Sequence, residues 1–281
     1  MQKILIIGSL GMLGQELLKI FPQATGWDRD KIDITNKKQT EEKILALQPD
    51  VIINTAAYNA VDKCETKEGF AIAKKINGTA VGYLAKICLD INATFVHYST
   101  GYVFNGEKKE GYQENDIPNP VNKYAETKLM GEQEILKYPE LKYYIIRTSK
   151  LFGHKGSSEM AKNSFFDLMI DLSKNQKEVK AVDKEYSNFT YAPDLALATK
   201  NILTQKYANG IYHIVNEKPA TWYEGARKLF DILKTNVKLI PVESSEFPRP
   251  AKRPRYDILI NTKLPELRNY EEALKEYLCV E

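Results

Sequence analysis

Several functional classes lack their marks in this chain. The three cysteines, Cys64, Cys88 and Cys279, are scattered, odd in number and without a CxxC pair. That argues against a disulfide framework and a zinc site, and it fits a reducing cytoplasm. His97, His154 and His213 are equally scattered, and no two have helical metal-ligand spacing. No apolar run approaches the roughly 18 residues a membrane helix needs. Met1-Gln2-Lys3 leads straight into a short apolar strand and a glycine turn, which reads as structure and not as a signal peptide. Charge of one sign is missing too: 40 basic against 37 acidic residues leave +3, too little to argue for a nucleic-acid partner. Repeats and low-complexity segments are absent.

What is present is an alternation. With 281 residues, 43% of them hydrophobic, the chain can bury one large core or two modest ones. KILIIG (3–8) is a nearly unbroken apolar run, as expected of a parallel strand buried on both faces. GSLGMLG follows, then a helical pattern from Gln15 to Ile20. Strand, glycine turn and helix make a dinucleotide cradle: Gly8, Gly11 and Gly14, with Met12 and Leu13 between them, let backbone approach a pyrophosphate at a helix N-terminus. The spacing is GxxGxxG, not the GxGxxG fingerprint. Asp28 lies twenty residues after Gly8, where an acid bonds a ribose hydroxyl and favours NAD(H). Arg29 beside it can accept a 2′-phosphate, so NADP(H) stays open.

Further strands follow at VIINTAAY (51–58), ATFVHYST (93–100) and YYIIRTSKLFG (143–153), with helical stretches between them. Asp33 precedes a helix that Thr35 or Asn36 can cap. Five strand–helix alternations predict an α/β fold with a doubly wound parallel sheet. The ligand edge of such a sheet is the carboxyl end of its strands. There the fourth strand delivers Ser99 and Thr100, followed by a Gly/Asn/Asp/Pro-rich loop (105–120). Next comes YAETK, with Tyr124 and Lys128 one helical turn apart and able to share a face. An ammonium beside a phenol stabilises phenolate, so Lys128 is expected to lower the Tyr124 pKa and make it a proton donor.

Beyond residue 150 the rhythm loosens. A helix over about 162–174, a strand near 179–182, a Pro-led helix in YAPDLALATKNIL, a strand GIYHIV (210–215) and a helix capped by Thr221 with Glu224 are expected. FPRPAKRPR (247–255) reads as an extended basic loop in which Arg253 and Arg255 can clamp a diphosphate. A last helix covers about 270–279. The expected division is a dinucleotide-binding domain over 1–150, with segments of about 179–220 returning to it. A smaller substrate-binding part takes 151–178 and 221–281.

These residues resemble the extended short-chain dehydrogenase/reductase superfamily and, within it, the dTDP-4-dehydrorhamnose reductases. The resemblance covers nearly the whole chain: GSLGMLG, PDVIINTAAYNAVDKCE, FVHYSTGYVFNG, NPVNKYAETKLMGE, YYIIRTS and GIYHIVNEKPATWYE occur in the family's order. It implies reduction of a 4-keto nucleotide-linked deoxysugar with NADPH or NADH, most similar to dTDP-4-dehydrorhamnose becoming dTDP-rhamnose. Thr100, Tyr124 and Lys128 become the catalytic set. Gly8, Gly11, Gly14 and Asp28 map to the cofactor cradle, Asp33 and Ile34 beside the adenine, and Ala56, Ala57 and Tyr58 along the cofactor. Val61 and Asp62 fall near the boundary with substrate. Family members are often dimers, so a homodimer is allowed.

Three departures all lie toward the substrate. Gly101 stands where the family has the aspartate of STDYVF, Lys150 where it has the tryptophan of RTSW, and DKEYSNFT (183–190) where it has DQ-x-G-x-P-T. A lysine for a tryptophan removes an apolar wall and adds a charge. An epimerase of the same superfamily stays open. So does a non-catalytic dinucleotide-binding subunit, as in the regulatory β subunit of methionine adenosyltransferase. A dehydratase does not, because Gly101 and Tyr102 follow Thr100 where that family places Asp-Glu. Glu16, Asp194 and Glu276 are exposed-looking acids without close ligand partners in sequence, and no metal site is assigned.

Overall fold

A computed structural model describes residues 2–279; the reading of Met1 lies outside them. The first half lays down strands β1 (Ile4–Ile7), β2 (Thr25–Trp27), β3 (Val51–Asn54), β4 (Thr94–Thr100) and β5 (Tyr143–Thr148). Between them run helices α1 (Met12–Ile20), α2 (Lys37–Leu47), α3 (Lys67–Ala73), α4 (Ala80–Asp90) and α5 (Lys123–Leu136). The second half adds β6 (Leu151–Phe152), β7 (Glu178–Val182), β8 (Tyr186–Ser187), β9 (Thr190–Tyr191), β10 (Gly210–His213), β11 (Ala220–Thr221), β12 (Lys238–Val242) and β13 (Tyr256–Asp257). Its helices are α6 (Phe165–Asn175), α7 (Ala192–Thr204), α8 (Trp222–Leu233) and α9 (Tyr270–Tyr277).

The central sheet has the order β10-β5-β4-β3-β1-β2, and every pair in it is parallel. Its central strands β1 (ILII) and β3 (VIIN) are nearly unbroken apolar runs because both faces are covered. Successive side chains of β1 go to opposite faces. Leu5 and Ile7 join Ile52, Phe95 and Ile145 beneath the buried faces of α2 and α4. Ile4 and Ile6 join Val51, Val96 and Ile146 beneath α1 and α7. The chain reverses its direction of winding between β1 and β3, which opens a crevice beyond their carboxyl ends.

A second core lies in the C-terminal half, where Phe152, Phe166, Phe189, Phe230 and Tyr270 pack together. Of the segment 179–220, α7 and β10 join the layers of the main sheet, whereas β7 pairs with β12, and β8 with β11 and β13. Thr221 and Glu224 form a reciprocal capping box at the start of α8. Asn36, not Thr35, caps α2; Thr35 instead donates to the Asp33 carboxylate. No helix of the described residues is long and apolar enough to cross a membrane.

Candidate active site

The turn after β1 shows why glycine is needed there. Gly8 has φ +80°, and a Cβ on it would stand 2.7 Å from the Ala56 nitrogen. On Gly14 a Cβ would stand 2.2 Å from the Gly8 carbonyl oxygen. The Thr55 hydroxyl lies 2.9 Å from both the Ile7 and Gly8 carbonyls and ties the end of β3 to the turn. Asp28 accepts from the Leu10 amide at 3.0 Å and from the Arg29 amide at 2.8 Å, so its carboxylate braces the turn; Arg29 is exposed. Segment 153–164 folds back over this region: Ser158 N–H donates to the Leu10 carbonyl, and Gln15 donates to Ser157.

Together these pieces wall a cavity of about 1080 Å³. Gly8, Gly11, Met12, Leu13, Gly14, Asp28, Arg29, Asp33, Ile34, Ala56, Ala57 and Tyr58 all line it, as do Tyr124, Lys128 and Lys150. Its glycine floor, helix N-terminus and length suit a dinucleotide. Val61, Thr100 and Gly101 do not line it. Thr100 lies behind Tyr124, close enough for a side-chain hydrogen bond, and accepts from the Tyr102 amide at 3.2 Å.

The electrostatics of the Tyr124–Lys128 pair differ from expectation. Burial pushes the Tyr124 phenol up, and Cys64 and, less, Asp257 push it further; the bond to Thr100 works the other way. The Lys128 tip is turned toward other partners. Its Nζ donates to the Tyr98 carbonyl at 2.6 Å and lies 3.4 Å from His97 Nε2. Burial brings Lys128 itself down to about 8, with Glu132 opposing. The shared helical turn thus puts both groups on one cavity wall, but the ammonium is directed into the sheet. A phenol held protonated still has its proton to give.

Sequence reasoning missed a third support. Asn77 is fully buried in a π-turn, Lys74–Thr79, between α3 and α4. It accepts from Tyr58 N–H at 2.8 Å and donates to the Tyr58 carbonyl and to Thr127. It therefore clamps the loop after β3 to α5. π-turns occur often at functional sites. The available signal was an Asn-Gly pair inside an otherwise apolar helical stretch.

A separate groove of about 660 Å³ is lined by Lys184 and by Arg249, Lys252, Arg253 and Arg255 of the basic loop. Arg253 is held by Asp62 at 2.8 Å and by the Ala251 carbonyl at 2.9 Å; Arg249 pairs with Glu185. Arg255 has no ion pair within 4 Å among the described residues, and its guanidinium lies over Tyr256. Asp62, not Val61, is the residue that reaches the loop. Glu185 lines the groove and also accepts from Trp222 Nε1, so the groove and the cavity share a wall.

No cluster of acids, histidines or cysteines suited to a metal occurs among the described residues. Glu16 is buried, contrary to its exposed look in sequence, and pairs with Lys19. Arg268 bridges Asp194 and Glu276.

Known proteins share this architecture. The dTDP-4-dehydrorhamnose reductase of Aggregatibacter actinomycetemcomitans is 34% identical, over 98% of each chain. A dTDP-4-dehydrorhamnose reductase structure from Clostridium acetobutylicum superimposes with a TM-score of 0.92 at 37% identity, covering 99% of this chain and 98% of that one. The Bacillus anthracis enzyme of that name, in complex with NADP, also gives 0.92, at 31% identity and 99% coverage of both. The RmlD substrate binding domain model matches residues 1–280, and the chain belongs to that family.

Proposed function

We propose that this protein reduces the 4-keto group of a nucleotide-linked deoxysugar with NADPH or NADH, and that dTDP-4-dehydrorhamnose is its substrate. The observation that carries the reading is that Tyr124 and Lys128 share one cavity with the glycine cradle. The relatives' names supply the substrate class.

The cofactor supplies the hydride. Gly8, Gly11 and the Met12–Leu13–Gly14 start of α1 hold its pyrophosphate with backbone N–H groups. Asp28 and Arg29 stand at the adenosine ribose, where Arg29 favours a 2′-phosphate. Asp33 and Ile34 flank the adenine, and Ala56, Ala57 and Tyr58 let the chain lie along the cofactor. Tyr124 gives its proton to the sugar C4 oxygen, and Thr100 donates to the phenol behind it, where charge develops. Lys128 gives one N–H to the Tyr98 carbonyl and lines the cavity; another N–H would meet a nicotinamide ribose hydroxyl, and its charge would add to the positive potential there. Arg255, in the groove beyond Trp222, meets the diphosphate, with Arg253 steadied by Asp62 beside it.

The test is a panel of 4-keto nucleotide sugars made in situ, with NADPH and NADH oxidation followed separately. Tyr124→Phe is expected to bind cofactor normally and to lose about 10²-fold or more in kcat. Normal turnover in that variant would end the proposal. Turnover of sugar without net cofactor oxidation would mark an epimerase instead.

A further inference from the structure

The three departures from the family pattern meet at one place. A Cβ on Gly101 would stand 2.0 Å from Asp257 Oδ1, so no larger residue fits there while that carboxylate stays. Asp257 is 2% exposed, and its Oδ2 accepts from Ser149. Lys150 lines the large cavity at a backbone φ of +33°, a conformation rare for residues other than glycine. Its Nζ is shielded from solvent and has no hydrogen-bond partner among the described residues. It lies 3.4 Å from the centroid of the Trp222 ring and 5.5 Å from that of Phe189. Glu185 and Phe189, both from the departing segment 183–190, complete the surroundings: one holds the Trp222 indole and the other packs against it.

Charge and hydrogen bonding are unequally met at Lys150. The indole face lies against its Nζ, and Asp257 and Glu185 offset its charge while Arg249 and Arg253 work against it. Burial pushes Lys150 down and Asp257 up, and each opposes the shift of the other. No ion pair within 4 Å joins Lys150 to an acid among the described residues, so its N–H groups still lack an acceptor. A buried donor without an acceptor is unfavourable, and an acceptor reaching it from the cavity that Lys150 lines would remove that cost. A carboxylate there would add a further negative charge near Asp257 and Glu185. A neutral hydroxyl would not.

We propose that Lys150 is a specificity-determining residue that donates to a hydroxyl of the sugar, in the space that Gly101 leaves for its counter-charge Asp257. This rests on the nucleotide-sugar reading above. Where the family's tryptophan offers an apolar wall, this chain offers a donor, so it disfavours the sugar that is deoxy at that carbon.

The experiment is calorimetric binding of matched nucleotide sugars that differ by one hydroxyl at C2, C3 or C6, to protein saturated with NADP⁺. The wild type is expected to bind the hydroxylated member of one pair at least about tenfold more tightly than its deoxy partner. Lys150→Met should bring that ratio near unity and leave the other pairs unchanged. Lys150→Trp should turn it toward the deoxy sugar, and it serves if the methionine variant does not fold. A wild type without such a preference, or a preference that survives in a folded variant, overturns the proposal. Binding without reduction of any keto-sugar would remove the reductase reading and leave Lys150 to be decided by the binding ratio. Binding of neither member of any pair would overturn both.

Discussion

Lys128 commits its ammonium to the Tyr98 carbonyl, and that one bond changes what the YAETK pair can do. Spacing places two side chains on one helical face; it does not say where a four-carbon stem turns its tip. That tip is buried, so its charged form is disfavoured and its pKa comes down to about 8. Tyr124 moves the other way and stays protonated. The sign is therefore fixed: as pH rises through 8, Lys128 loses its proton first, and with it the positive charge at the ribose. The kcat/KM for reduction should fall as pH rises through 8, in a profile at saturating cofactor read beside that of Lys150→Met, because Lys150 and Asp257 are both brought to about 7. A profile flat through pH 8 would remove Lys128 from this role.

At the scale of the element, the glycine turn and the π-turn stand at opposite ends of legibility. GSLGMLG could be read directly, because only glycine tolerates φ +80° at Gly8 and the close approach of backbone at Gly14. The π-turn Lys74–Thr79 could not, because its register is set by what Asn77 meets across space. Removing that side chain leaves the Tyr58 amide and carbonyl without their buried partner. Asn77→Ala should cost roughly 1–3 kcal/mol in urea denaturation and weaken NADPH binding in a fluorescence titration. Unchanged affinity would mean that the loop after β3 holds its shape unaided. Thr221 shows the favourable case: its capping box is a local pattern, and the sequence alone places it.

Across the whole molecule, a buried charge pair fastens α5, which carries Tyr124 and Lys128, to the sheet. Arg147 on β5 makes two bonds to Glu132 on α5, at 2.9 and 2.6 Å, and both residues are 1% exposed. Ser99 on β4 donates to the same carboxylate at 2.5 Å, and Arg147 donates to the Glu114 carbonyl, in the loop between β4 and α5, at 3.4 Å. Breaking one half strands the other in a dry interior, so Glu132→Ala should destabilise by roughly 3–5 kcal/mol. A double variant with Met at both positions should recover much of that in the same denaturation assay. A single variant as stable as the parent would show that water reaches Arg147.

The sequence by itself determined the strand–helix alternation, the glycine turn and the shared helical face of Tyr124 and Lys128, because each rests on periodicity or on neighbours a few residues apart. The tertiary structure alone decided the fields in which those residues work. Gly101, Lys150, Glu185 and Asp257 come from separate segments and become one cluster only when β13 pairs with β8 and α8 packs beside them. Burial and the direction of an ammonium depend on such distant partners, and desolvation is a property of the assembled interior that no local pattern encodes.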